Sequence, residues 1–149
     1  MVPLFSKKDN PSRSRFQLSS SDILPSRYSF IRNDIPLNVL VADDNPFNIH
    51  VFSHILKSQN CTIQTALNGA LALKLVQNNE IDNFKVIMLD IEMPVMDGIE
   101  CMKKIREHFK QKKTECPIIA AVTANDIYKH KKYKEMGFDF VAEKPVKEE

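Results

Sequence analysis

Five short apolar runs, each too brief for a helix and separated from the next by a stretch of helical spacing, constrain this 149-residue chain more than any other feature. Leu37 to Ala42 ends at Asp43-Asp44 and reads as a buried strand. Asn45-Pro46 then supplies a helix start with proline in the first turn, and Phe47, Val51, Phe52, Ile55 and Leu56 follow at helical spacing. Cys61 to Ala66 alternates and is rich in β-branched residues, and a second helix is expected over Ala70 to Val76 after Asn68-Gly69. Lys85 to Asp90 is the third strand, with a helix marked by Ile99, Met102, Ile105 and Phe109 after Asp97-Gly98. Pro117 to Val122 is the fourth strand, Asn125 to Met136 a lysine-rich helix ending at Gly137, and Phe138 to Ala142 the fifth strand. Strand and helix in strict alternation imply an α/β fold: a doubly wound parallel sheet with right-handed crossovers and helices on both faces. The fifth helix is expected to be truncated or absent. Only Val146, Lys147, Glu148 and Glu149 follow Pro145, about one turn at ~1.5 Å per residue.

Composition matters most where it changes. Residues 1–35 hold eight of the ten serines and six basic residues against three acidic, a charge of +3; residues 36–149 therefore carry −1 of the total +2. Such a serine-rich basic segment buries too little apolar area to offset its ordering entropy, so residues 1–35 are expected to be a largely disordered tail and residues 36–149 the domain. Phe16, Leu18, Ile23, Leu24, Tyr28, Phe30 and Ile31 are apolar anchors within it. They either dock on the flank left bare by the missing helix, or that helix belongs to residues of a longer parent; the second reading is favoured. The weak total charge makes nucleic acid no default partner. No run approaches the roughly 18 apolar residues of a membrane span, and the N-terminus lacks the apolar core of a signal peptide. Three widely spaced cysteines, Cys61, Cys101 and Cys116, suit reduced thiols rather than a disulfide framework. The expected location is cytoplasmic, with the nucleus also open.

In open parallel sheets ligands bind beyond the carboxyl ends of the strands. Asp43 and Asp44 follow the first strand, Asp90 ends the third, Thr123 follows the fourth and Lys144 the fifth. Three carboxylates so gathered repel one another and favour a hard divalent cation, and oxygen-only ligands with room for water point to Mg²⁺. A cation, an ammonium and a hydroxyl around one aspartate suit an incoming phosphoryl group, with the aspartate as nucleophile.

Val39-Leu40-Val41-Ala42-Asp43-Asp44-Asn45, the run from Val86 through Asp90-Ile91-Glu92-Met93-Pro94-Val95-Met96-Asp97-Gly98, Val122-Thr123-Ala124 and Lys144-Pro145 together resemble the receiver domain of two-component response regulators. The resemblance implies a flavodoxin-like sheet in the order 2-1-3-4-5. It implies Asp90 as phosphoacceptor, Asp43, Asp44, Asp90 and the backbone carbonyl of Glu92 around Mg²⁺, Thr123 as the switch hydroxyl and Lys144 as ion-pair partner of the phosphoryl site. It further implies a cis Lys144-Pro145 bond, a histidine kinase or histidine phosphotransfer protein as donor, and a downstream protein effector. The chain would then be no enzyme beyond catalysing its own phosphorylation and dephosphorylation.

Three positions depart from the family's pattern. Val141 stands where an aromatic ring is usual, Pro117 lies six residues before Thr123 rather than five, and the fifth helix is missing. Two alternatives stand beside the phosphoacceptor reading: a receiver-like binding module that works without phosphorylation, and, more remotely, a Mg²⁺-dependent phosphatase of haloacid dehalogenase type. The four histidines, His50, His54, His108 and His130, are expected in surface or capping roles.

Overall fold

The computed structural model describes residues 35–78, 84–124 and 127–144. They form β1 (Leu37–Ala42), α1 (Pro46–Ser58), β2 (Cys61–Ala66), α2 (Gly69–Asn78), β3 (Val86–Asp90), α3 (Gly98–Lys112), β4 (Ile118–Thr123), α4 (Ile127–Met136) and β5 (Phe140–Glu143). All strand pairs are parallel and the sheet order is β2-β1-β3-β4-β5. This is the expected flavodoxin-like arrangement, with four helices among the described residues. The serine-rich tail, the fifth helix and the Lys144-Pro145 bond fall outside the described residues.

The central strands are continuous apolar runs because both of their faces are covered. Every residue of β3 and β4 is buried, while edge strand β2 alternates between half-buried and exposed positions over its first four residues and is buried at Ala66. The alternation of side chains sorts the core into two clusters. On one face Phe52 and Leu56 of α1 meet Val39, Val41, Val86, Met88, Ile118, Ala120, Val122 and Ala142. On the other, Ala72 and Val76 of α2, Cys101, Met102 and Ile105 of α3 and Tyr133 of α4 cover Leu40, Ile87, Leu89, Ile119 and Ala121.

Helix starts follow local chemistry. Asn45 is extended, and its side-chain oxygen accepts from the Phe47 N–H at 3.0 Å just ahead of Pro46 at the first helical position. Asp97 does the same for α3, accepting from the Glu100 N–H at 2.8 Å. The third and fourth strands begin one residue later than the apolar runs suggest, at Val86 and Ile118, and the fourth runs through Thr123.

The fifth strand is the clearest displacement, at Phe140–Glu143 rather than Phe138–Ala142. Phe138 closes the end of α4 instead: its N–H donates to the Tyr133 carbonyl and its buried ring stands edge-on to Tyr133 at 6.3 Å. Asp139 is fixed by its own carboxylate, which accepts from the Ile119 N–H at 2.9 Å and from Arg106 at 3.0 Å. Arg106 also donates to the carbonyl of Gly137, whose φ of 124° turns the chain out of α4. One guanidinium thus ties α3 to the turn that launches β5.

Cys101 is buried and Cys61 and Cys116 are half-buried. All three are free thiols, and burial raises each above its ordinary range, Cys101 to about 12. Among the described residues no helix is long and apolar enough to cross a membrane.

Candidate functional site

Each parallel strand ends at the same edge of the sheet, so whatever follows β1, β3, β4 and β5 converges there. Asp43, directly after β1, is 1% exposed, and Asp90, the last residue of β3, is 2% exposed. Burying carboxylates costs free energy unless partners replace water, and both have them. Asp43 Oδ1 accepts from the Asn45 N–H at 2.8 Å, and the Asn48 side-chain amide lies 3.3 and 3.1 Å from its two oxygens. Asp90 Oδ1 accepts from the Glu92 N–H at 3.2 Å, and Oδ2 from Lys144 Nζ at 2.8 Å. The same ammonium stands 3.5 Å from Asp43 Oδ2. Lys144 therefore bridges the ends of β1 and β3 from beyond β5, held there by its own N–H, which donates to the Thr123 carbonyl at 2.7 Å.

Asp44 lies at the exposed rim of this cluster. Ligand oxygens of Asp43, Asp44 and Asp90 all lie within 4.8 Å of one another. Opposite oxygens around an octahedral Mg²⁺ are about 4.2 Å apart, so small side-chain rotations bring the three into range. The charge balance also calls for a cation, since three carboxylates face one ammonium. Asp90 registers the shortfall: burial, with the Asp43 charge adding to it, pushes its carboxyl up to about 6 even though Lys144 and the Glu92 N–H pull the other way. Burial also opposes the charge on Lys144, but Asp90 and Asp43 outweigh it and hold the ammonium above its ordinary range. The donor set thus fits a divalent metal.

Thr123 ends β4 and is 8% exposed, with its hydroxyl donating to the Ala124 carbonyl at 3.2 Å. Glu92 is exposed and lines an open groove of about 660 Å³ with Asp44, Met93, Pro94, Asp97 and Lys144. The structure therefore brings Asp43, Asp44, Asp90 and Lys144 together. Thr123 and Glu92 lie on the adjoining strand end and loop.

The loop from Ile91 to Asp97 is shaped by close backbone approaches. The Gly98 N–H donates to the Ile91 carbonyl at 3.1 Å, and a Cβ at Gly98 would run into the carbonyl of Asp90. Gly69 is similarly pressed against Met96, donating to its carbonyl at 3.0 Å. Between them Val95 adopts φ 71°, spanned by a 2.8 Å bond from the Met96 N–H to the Pro94 carbonyl.

Sequence reasoning missed Asn48 and the contact between Gly69 and Met96. Asn48 had a readable signal: it heads the helical stripe Asn48, Phe52, Leu56, a buried polar residue where an apolar one is the rule. The Gly69 contact joins two distant loops and has no local signature.

Comparison with known proteins bears on the fold and its family. The family profile of the response regulator receiver domain matches residues 39–149. Hybrid signal transduction histidine kinase L of Dictyostelium discoideum is 40% identical over 113 residues, which cover 73% of this chain and 6% of that protein. The chain thus spans a small fraction of the hybrid kinases it matches. Among solved structures, the co-crystal of the Saccharomyces cerevisiae histidine phosphotransfer protein Ypd1 with the receiver domain of its downstream response regulator Ssk1 gives a TM-score of 0.66 at 29% identity, covering 75% of this chain and 81% of the matched one. The CheX-CheY-BeF3-Mg complex of Borrelia burgdorferi gives 0.64 at 30% identity, with the same two coverages of 75% and 81%.

Proposed function

The chain belongs to the response regulator receiver domain family, and from that membership we propose that it accepts a phosphoryl group from a phosphohistidine donor onto Asp90 and changes its surface for a protein partner. The observation that carries this reading is the pairing of buried Asp43 and Asp90 across one lysine ammonium, with Asp44 at the rim. In the reaction a carboxylate oxygen of Asp90 attacks phosphorus, the P–N bond of the donor breaks, and its electron pair returns to the imidazole, leaving an acyl phosphate. Lys144, already on Asp90, shifts to the charge of the incoming phosphoryl oxygens. Thr123 turns its hydroxyl from the Ala124 carbonyl to the same group, and that rotation begins the surface change.

Asp43, Asp44 and Asp90, with the backbone carbonyl of Glu92, would hold Mg²⁺. A cation held there would supply positive charge to offset Asp90 and the phosphoryl oxygens. Asn48 and Asn45 orient Asp43 as a ligand. The donor is a histidine kinase or a histidine phosphotransfer protein, the kind of partner seen with the Ssk1 receiver domain. The location is cytoplasmic, or nuclear, with a protein effector downstream and no direct nucleic-acid contact. Nothing in the fold or the relatives favours the phosphatase alternative. The intact acidic cluster supports the phosphoacceptor reading over the phosphorylation-independent module.

Intact mass after incubation with acetyl phosphate and Mg²⁺ tests the reading. One phosphoryl group per chain is expected, absent in Asp90→Asn and absent with a chelator. Labelling that persists in Asp90→Asn would overturn the assignment.

A further inference from the structure

Helix α1 carries two side chains that the acidic cluster does not use. Its buried stripe is Asn48, Phe52 and Leu56. His50 and His54 stand two positions before and two after Phe52, so at ~3.6 residues per turn they lie about 160° and 200° around the helix from it. Both are exposed, on the side of α1 turned to solvent. Among the described residues neither takes a hydrogen bond or an ion pair, which leaves both imidazoles free. Four residues apart, they are neighbours on that surface, with Cβ atoms about 5–6 Å from each other.

Spacing and donor type together select a chemistry. Two imidazoles one turn apart on a helix face can close on a single ion, each through one ring nitrogen at about 2.0–2.1 Å. The pair sits in the interior of a 13-residue helix, past the Asn45 cap, where the backbone that spaces the rings is already fixed. No carboxylate occurs from Pro46 to Ser58, and Lys57 adds a positive charge one turn beyond His54. Such a site offers nothing to hard, oxygen-seeking Mg²⁺ or Ca²⁺. It suits the cations that prefer imidazole, above all Cu²⁺ and Zn²⁺.

We infer that His50 and His54 form a cation site separate from the acidic cluster, taking one ion of the Zn²⁺ class between two ring nitrogens, with water completing its coordination. The ion ties two consecutive turns of α1 together. Asn48, which holds Asp43, belongs to the same helix, so an occupied pair stiffens the support of the acidic cluster without sharing a ligand with it. The site draws on imidazole alone and does not depend on phosphorylation of Asp90.

Calorimetric titration of the full chain with Zn²⁺ tests this, at about pH 7.5, where free imidazole is largely neutral, and with Mg²⁺ in excess to occupy the acidic cluster. One ion per chain is expected in the parent and in Asp90→Asn. Affinity should fall at least about tenfold in His50→Ala and in His54→Ala, since a direct ligand costs no less than an outer partner of a metal site. It should stay at the parent value in His108→Ala, a control on α3. Alanine is a better helix former than histidine, so α1 survives both changes, which metal-free melting curves check. No Zn²⁺ uptake by the parent, or equal affinity in the parent and His50→Ala/His54→Ala, overturns the assignment. So does binding that disappears in Asp90→Asn, which would place the ion in the acidic cluster. One ion per two chains, with the mass doubled in sedimentation, overturns it too, because the ion would then bridge copies.

Discussion

At the scale of single residues, the site is a problem of charge placed out of water. Asp90 ionises near 6 in the metal-free protein because burial outweighs the help of Lys144 and the Glu92 N–H. A carboxyl raised above its ordinary 3.8 keeps its proton in the fold after the unfolded chain has lost it. Its stabilising contribution is therefore complete below about 3.8 and is lost as the pH climbs through about 6. The metal needs the ionised form, so protons and Mg²⁺ compete. Mg²⁺ affinity should fall about tenfold between pH 7 and pH 5, read by titration calorimetry; equal affinities at the two pH values would contradict the burial of Asp90 as its governing feature. Asn48 enters the same balance through Asp43. Its amide holds both carboxylate oxygens of a buried ligand, and removing such an outer partner typically weakens a metal site about 10- to 100-fold. Asn48→Ala should therefore lose about tenfold in Mg²⁺ affinity by the same titration, while Asn45, fixed through its backbone N–H, still holds Asp43 Oδ1.

At the scale of elements, the loop between β3 and α3 carries the stored strain. Val95 is β-branched, 84% exposed and held at φ 71°, a left-handed conformation that its Cβ opposes. It persists because Gly98 draws the far end of the loop back under Asp90 and onto Ile91, and Gly69 holds the adjacent Met96 carbonyl. Val95→Gly should raise stability by about 1 kcal/mol in urea denaturation, since the side chain contributes no packing there; a loss of stability would show that the strain is not in that residue. Elements were largely legible from the chain because the central strand runs are apolar and end in a polar residue, as at Leu40-Val41-Ala42-Asp43 and Met88-Leu89-Asp90, while β2 shows its period-two alternation. β5 was misplaced for a reason that local pattern cannot carry. Phe138 is as apolar as a strand residue, yet a ring contact with Tyr133 and the clamp of Arg106 on Gly137 and Asp139 consign it to the end of α4. The carboxylates and Lys144 were legible because they sit at strand ends. Asn48 was not singled out, because its partner lies across a turn and is defined by distance.

At the scale of the whole molecule, the site is a joint between strands that the ladder and the core also hold together. Asp43 follows β1, Asp90 ends β3 and Lys144 follows β5, so the ion pairs span the sheet from its centre to an edge. An excess of buried negative charge opposes that closure, and neutralising it should tighten the entire domain. Asp90→Asn removes the carboxyl that the fold holds with difficulty while keeping its shape. The metal-free variant should therefore melt above the metal-free parent at pH 7, despite losing the charge-assisted bond to Lys144, because the ionised carboxylate is on balance disfavoured there. Mg²⁺ should reverse the order. A ligand that binds only the folded state stabilises it by about 2.7 kcal/mol at a hundredfold excess over its Kd, or roughly 10 °C for a domain of this size. The parent should climb by that amount as Mg²⁺ is added and fall back with a chelator, while Asp90→Asn, lacking one ligand, should move little. Thermal melts of both proteins across a Mg²⁺ series check all of this together. If the metal-free variant melts below the metal-free parent, the ion pair with Lys144 outweighs the burial cost, and the strand ends are held by attraction rather than left under repulsion for the metal to relieve.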